Sequence, residues 1–370
     1  MPHQVLATYA VFCCLTVVIF QEEDAFFANK HGYSKHDTAL PLYTKADAIQ
    51  CMSHFHIEKW GQWFQPIKGW NARFYSAGHI LGASSLLLEV AGRRILFSGD
   101  LGRPQDSLMN PPEPPPQADT VLIESTYGDR THPAENLDAE LCDALKKVAA
   151  RGGVAVVPVF AVGRAQAILH SIAQLKLQHL IPAGLPVFLD SPMAIHTTAL
   201  FEKHMDAHHL NTIQVKNMDH VATMVETPEQ SKALIKRHGP MVILAASGMA
   251  TGGRVLHHLA NYLGDHRNMV VLTGFQSPGT RGASLASGSP SIRMHGKDIA
   301  VKAEIVQLSS ASAHADANQL LAWLSQMPAP ASQVYVVHGE NQAADTLRQR
   351  IERELHMRAI VPEHDSVWPA

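Results

Sequence analysis

The sequence predicts an α/β fold with a parallel sheet, on three observations. Helical and strand patterns alternate from about Leu137 onward, a hairpin pattern precedes them, and a last strand lies between two helices near the C-terminus. Strands that alternate with helices form parallel sheets covered by helices, with functional loops at the strand C-terminal ends.

The elements follow in order. Val5 to Phe20 is an uncharged apolar run rich in β-branched residues. It is shorter than the roughly 20 residues that a membrane span needs. It also lacks the Lys or Arg and the cleavage site of a signal peptide, since only His3 precedes it and Gln21-Glu22-Glu23-Asp24 follows. A buried element or a misread gene start is therefore expected over a membrane anchor through Val5-Phe20. His54-Phe55-His56 falls on an apparent helix before Trp60, where the two imidazoles would point about 200° apart. Leu86 to Val90, a turn at Gly92 and Arg93 to Ser98 give two antiparallel strands ending at Gly99-Asp100. Pro111 to Pro116 reads as an exposed loop, and Thr120 to Glu124 as a strand with a carboxylate at its end.

A helix with Leu137, Leu141, Leu145 and Val148 on one face leads to strand Val154 to Phe160. A second, with Ala165, Ile168, Leu169, Ile172 and Leu175 inward, leads to strand Pro186 to Asp190. Strand Met241 to Ala245, helix Arg254 to Leu263 and strand Asn268 to Thr273 repeat the order. Strand Val334 to His338 then lies between helices near Ala317 to Met327 and Ala343 to Leu355.

Composition sets the outer bounds. With 370 residues, 46% of them hydrophobic and 17% charged, the chain has material for one large or two medium cores, and two domains are expected. A formal charge of -3 excludes a basic overall field, so nucleic-acid contacts must come from local Arg and Lys. Four cysteines without a C-x-x-C pair exclude a zinc ribbon and a disulfide framework, which fits a reducing, cytoplasmic location without stable membrane association.

Three ligand-type residues sit at strand ends or tight turns: His79 in Ser76-Ala77-Gly78-His79-Ile80-Leu81-Gly82, Asp100 in Ser98-Gly99-Asp100-Leu101-Gly102, and His338 in Val336-Val337-His338-Gly339-Glu340. Imidazole and carboxylate are the usual zinc ligands besides thiolate, and adjacent glycines let backbone approach closely. Singly, each reads as a turn or capping residue. As an ordered set they do not.

In this order the set resembles the β-CASP family of RNA-processing metallo-β-lactamases, and the resemblance runs from about Gln21 to the C-terminus. Phe74 to Ala83 is similar to the family's third metal motif and Phe97-Ser98-Gly99-Asp100 to its fourth. Glu124-Ser125-Thr126-Tyr127-Gly128 is similar to the acidic motif that opens the β-CASP segment. Ser312-Ala313-His314-Ala315-Asp316 and Val337-His338-Gly339-Glu340 resemble the two later histidine motifs. Phe160 to Arg164, Asp190 to Ala194 and Ser247 to Arg254 also look alike.

The resemblance implies an αββα metallo-β-lactamase sandwich from about 1–125 and 306–370, with the parallel-sheet β-CASP domain, 126–305, inserted. It implies a zinc-dependent ribonuclease acting on single-stranded RNA, possible as a homodimer. His79 would bind one zinc ion, Asp100 would bridge two, and His338 would bind the second. His314 would act as general acid on the leaving ribose oxygen, oriented by Glu124; a positioned acid and a metal-activated water are what phosphodiester hydrolysis requires. Glycine-rich segments after buried strands suit sugar-phosphate contacts. Arg164, Ser247, Gly248, Gly252, Gly253, Arg254, Gln276, Arg281 and Ser312 are the expected contacts.

One part of the family pattern is missing. Its His-x-His-x-Asp-His signature has no counterpart in the sequence, where His54-Phe55-His56 lacks the following Asp-His. Gln4 to Thr8 faintly resembles the strand after that signature, so an N-terminal truncation or disrupted gene is expected, with reduced or absent zinc occupancy. Two alternatives accompany the enzyme reading: an inactive RNA-binding remnant, and a small-molecule metallohydrolase of the same superfamily.

Overall fold

A computed structural model describes residues 21–367 apart from 23, 24, 27, 31, 33 and 134–136. The run Val5–Phe20 lies outside the described residues. They fall into two compact units, one up to Lys59 and the other from Trp60 onward.

In the first unit, helix Lys45–Met52 starts at a capping box in which Thr44 and Asp47 satisfy each other's backbone amides. It ends at Met52, so His54 and His56 are not on a helix as expected. The hydrogen bonds tighten there, from Ser53 N–H to the Gln50 carbonyl and from His54 N–H to that of Cys51, and Phe55 stays exposed.

The second unit holds a seven-stranded sheet. Strands β1 (Trp63–Ile67), β2 (Trp70–Ser76), β3 (Ser84–Val90) and β4 (Arg93–Phe97) run antiparallel in sequence order. The turn between β3 and β4 places Ala91 and Gly92 at φ 50° and 75°, as a two-residue hairpin requires. Strand β5 (Thr120–Glu124) lies parallel to β4. The expected Pro-rich loop between them is tied down in its middle: Pro115 is buried, Ser76 N–H donates to the Glu113 carboxylate, and Trp323 Nε1 donates to the Glu113 carbonyl.

At Glu124 the chain leaves this sheet. It next forms a six-stranded parallel sheet from β6 (Val154–Pro158), β7 (Val187–Asp190), β8 (Thr223–Met224), β9 (Met241–Ala245), β10 (Met269–Leu272) and, after a hairpin of β11 (Ser291–Met294) with β12 (Lys297–Ala300), β13 (Glu304–Gln307). Strands β6, β7, β9 and β10 are buried throughout, the pattern of a parallel sheet covered on both faces. Neither the hairpin nor β13 was expected. Because β13 pairs with β10, residues 304–307 belong with this sheet.

The chain then returns to the first sheet as β14 (Gln333–Val337), parallel to β5 with Val337 opposite Glu124, and ends it with β15 (Ala359–Ile360). Leu96, Val121, Ile123, Val334 and Val336 pack there against Leu320, Leu324, Leu347 and Ile351 of helices Ala317–Ser325 and Asn341–Leu355. Each such fully buried aliphatic side chain contributes roughly 1.5–3 kcal/mol. The fold is thus mixed α/β, with a parallel-sheet insertion between two neighbouring strands of a mixed sheet. No helix among the described residues is long and apolar enough to cross a membrane.

Candidate metal and catalytic centre

His79 lies in the turn between β2 and β3, closed by Ala77 N–H to the Ala83 carbonyl. Gly78 is required there: its φ is 66°, and a Cβ would come within 2.6 Å of the Asn110 carbonyl oxygen. Asp100 follows β4, and its turn is stitched on both sides. Gly102 N–H donates to the Ala77 carbonyl at 2.8 Å, and Ala315 N–H donates to the Leu101 carbonyl at 2.8 Å. A Cβ on Gly102 would overlap the Gly78 carbonyl, so only glycine lets the His79 and Asp100 turns close on each other. Gly102 also bridges to His314.

Glu124 ends β5 almost fully buried, at 1% side-chain exposure, so its charge must be met within the protein. Its carboxylate accepts Leu101 N–H at 2.7 Å and Thr126 N–H at 3.2 Å, and both oxygens face His314 Nδ1 at 3.0 and 3.1 Å. Burial by itself would raise this carboxyl's pKa; the hydrogen bonds from His314, Thr126 and Leu101 outweigh it and hold the group below its ordinary value. His314 Nδ1 is thereby oriented, and Nε2 is the ring nitrogen left for chemistry. Ser312 accepts His314 N–H at 3.1 Å, and Asp316 caps the following helix.

His338 follows β14 with φ 56°, next to the strand that carries Glu124. Ser125 Oγ donates to the Val337 carbonyl and Thr126 Oγ1 to that of His338, which binds the two strand ends together. His338 Nε2 stands 3.3 Å from Asp100 Oδ1, and His79 Nε2 3.9 Å from Asp100 Oδ2. The His79 and His314 rings are 4.2 Å apart. Burial first, then the adjacent His314, pushes His79 down to about 3, so it is neutral at physiological pH, as a metal ligand must be.

This donor set fits a divalent ion of the zinc type. Ligand atoms of His79, Asp100 and His314 lie within 4.8 Å of one another, the one such group of three among the described residues. His79 Nδ1 is buried without a hydrogen-bond partner. The group contains His314 where the sequence suggested His338, although His338 also faces Asp100. His54 and His56 are in no such group.

The expected phosphate contacts divide. Arg164 begins helix Arg164–Leu177 beside the centre; burial pushes its guanidinium down to about 10, and its Nε lacks a partner. Arg254 instead turns inward. It donates to Asp190 Oδ1 at 2.7 Å and to the Val225 and Glu226 carbonyls. Arg281 donates to the carbonyls of Arg293 and Thr251, and Gln276 to that of Gly248. These three side chains are engaged within the protein, and inside the loop Ala250 N–H donates to the Ser247 carbonyl. Even Ser247 Oγ is paired, with Thr251. Gly253 has φ 75° and packs on the Ala246 carbonyl, whereas nothing surrounds the Gly252 position.

Sequence reasoning missed three contributors. His132 bonds the His314 carbonyl at 2.8 Å, and its ring lies tilted against that of Tyr127. Glu140 receives the N–H and hydroxyl groups of Ser309 and Ser310, just before His314. Arg103 donates to the Ser310 carbonyl at 2.6 Å. His132 lies shortly after the acidic motif, but Glu140 has no local signal, being one of several charged residues on an amphipathic helix.

Comparison with known proteins identifies the family. The Beta-Casp domain model matches residues 165–285, and that of the Zn-dependent metallo-hydrolase RNA specificity domain matches 298–362. The chain is 37% identical over 312 residues to ribonuclease TTHA0252 of Thermus thermophilus, covering 82% of this chain and 70% of that protein. It is 30% identical over 367 residues to an RNase J-like protein of Methanocaldococcus jannaschii, covering 93% and 84%. To the endoribonuclease YSH1 of Kluyveromyces lactis it is 29% identical over 296 residues, covering 75% and 37%. With its two family domains and its ribonuclease relatives, the chain belongs to the β-CASP family of RNA-processing metallo-β-lactamases.

Proposed function

We propose that the chain acts on single-stranded RNA as a metal-dependent phosphodiesterase, with His314 as general acid. The observation that carries this reading is the hydrogen-bonded pair of His314 Nδ1 with buried Glu124, held against Asp100 and His79. A carboxylate on Nδ1 fixes the tautomer and stabilises the imidazolium, and Nε2 can then give a proton to the leaving ribose oxygen. His79, Asp100 and His338 would hold zinc. A bound ion supplies Lewis acidity, neutralising charge on the attacked phosphate and acidifying water. Arg164 adds a cation for the RNA backbone, a role suggested by its place at the start of the helix that follows the Phe160–Gly163 turn.

The same reading assigns the site to a split metallo-β-lactamase unit, about 1–125 and 308–370, and the β-CASP insertion to 126–307, the expected boundary at 305 moving because β13 pairs with β10. Adjacency of β5 and β14 supports this, since the insertion then opens and closes at one edge of the centre.

A second reading rests on the short distances among His79, Asp100 and His314, which make His314 a metal ligand oriented by Glu124. Zinc content by mass spectrometry and cleavage of a labelled single-stranded RNA separate the two. His314→Ala that keeps zinc and loses EDTA-sensitive cleavage supports the acid; loss of zinc in the same variant makes it a ligand. RNA binding by the unmutated chain with no cleavage leaves an RNA-binding remnant, a reading supported by a ligand group of three residues among the described ones.

A further inference from the structure

Phe160 follows β6 at the C-terminal end of the six-stranded sheet, where open parallel sheets receive ligands. Its neighbours Val159 and Ala161 are buried, yet Phe160 itself is 42% exposed. The backbone is fixed on both sides: Val159 N–H donates to the Ala245 carbonyl, and Ala165 N–H to that of Phe160. The ring is fixed as well. A Cβ at Gly248 would stand 2.7, 2.8 and 3.0 Å from Phe160 Cδ2, Cε2 and Cγ. Near-equal distances to three adjacent ring atoms mean that Gly248 approaches the face of the ring. One face therefore rests on the glycine loop, while the residue as a whole keeps 42% of its surface exposed.

The same turn reaches the catalytic centre. Gly163, three positions on, packs where a Cβ would be 2.7 Å from Ile80 Cγ2, and Ile80 adjoins His79. Arg164, the next residue, opens helix Arg164–Leu177, so a cation stands four positions from the ring on the same turn. One short loop thus carries a pre-seated aromatic ring and a cation beside a hydrolytic site. An apolar protein partner would use the ring alone, whereas a nucleotide strand uses both, stacking a base and placing its phosphate near the guanidinium.

We propose that Phe160 is a stacking platform for a nucleobase of single-stranded RNA, which rests on the RNA-binding reading above. Every base has a π-face, so the platform accepts any base and holds the strand in register with the centre.

The test is fluorescence anisotropy of labelled oligoadenylate, and of an abasic ribose-phosphate oligomer of equal length, in EDTA to prevent cleavage. Phe160→Ala and Phe160→Leu are expected to weaken oligoadenylate about tenfold and to leave the abasic oligomer unchanged, while Phe160→Trp keeps oligoadenylate affinity. Full affinity of the Leu variant for oligoadenylate, or equal loss on both oligomers, overturns the stacking role while RNA binding stands. Failure of the unmutated chain to bind either oligomer overturns the RNA-binding reading and stacking with it. Equal thermal melting of the variants shows that the fold is retained.

Discussion

His314 Nδ1 lies 3.0 and 3.1 Å from the two oxygens of Glu124, a residue 190 positions earlier in the chain. The pair spans the insertion, joining the strand where the chain leaves the seven-stranded sheet to the loop by which it returns. Replacing Glu124 by Gln keeps the shape and removes the charge. RNA cleavage is expected to fall about a hundredfold or more, with zinc content unchanged, as read by initial rates and mass spectrometry. Unchanged cleavage would remove His314 from the acid role.

Asp190 gives a pH prediction away from the centre. It is fully buried and accepts from Ser231 at 2.5 Å, Arg254 at 2.7 Å and His258 at 2.7 Å. Burial alone would raise its pKa, but the bonds from His258, Ser231 and Arg254 outweigh it, and the carboxyl sits below its ordinary 3.8. A depressed folded pKa means stability that is present above 3.8 and lost as pH falls through the folded value. Asp190→Asn leaves Arg254 and His258 short of their partner and is expected to cost about 3–5 kcal/mol at neutral pH. Denaturant melts of the two proteins should converge as pH falls below 3.8; a constant gap would show that the carboxylate charge is not what stabilises.

Gly102 tests the closing of the two ligand turns. Gly102→Ala forces a methyl into the Gly78 carbonyl and is expected to destabilise by roughly 1–3 kcal/mol, with loss of zinc affinity. Gly252→Ala is the control, since nothing lies within 4 Å of its Cβ position. It should melt within about 0.5 kcal/mol of the parent. Comparable losses in both variants would show that space at Gly102 is not the issue.

Glu140 holds the turn before His314 through Ser309 and Ser310, whose hydroxyls approach its carboxylate at 2.5 Å. Those bonds hold its own carboxyl below the ordinary range, against the upward push of burial. Glu140→Ala is expected to cost about 1 kcal/mol and to slow cleavage while RNA affinity is retained. Full activity with a normal melting curve would show that the turn is held without it.

Local chemistry decided much of this protein in advance. The hairpin β3–β4, strand β5, the buried strands of the inserted sheet and the positions of His79, Asp100, Glu124 and His338 at strand ends or turns all follow from periodicity and from the glycines beside them. Partner choice did not follow. Arg254 and Arg281 sit in glycine-rich surroundings that suggest phosphate, but Arg254 finds Asp190, 64 positions away, and turns inward. Glu140 clamps a turn 169 positions later, and Phe160 looks like the end of a buried strand until its ring is seen seated on Gly248. Hydrogen-bond and packing partners depend on which strands become neighbours. In this chain an insertion separates β5 from β14, so only the closed tertiary structure decides what each side chain of the centre can touch.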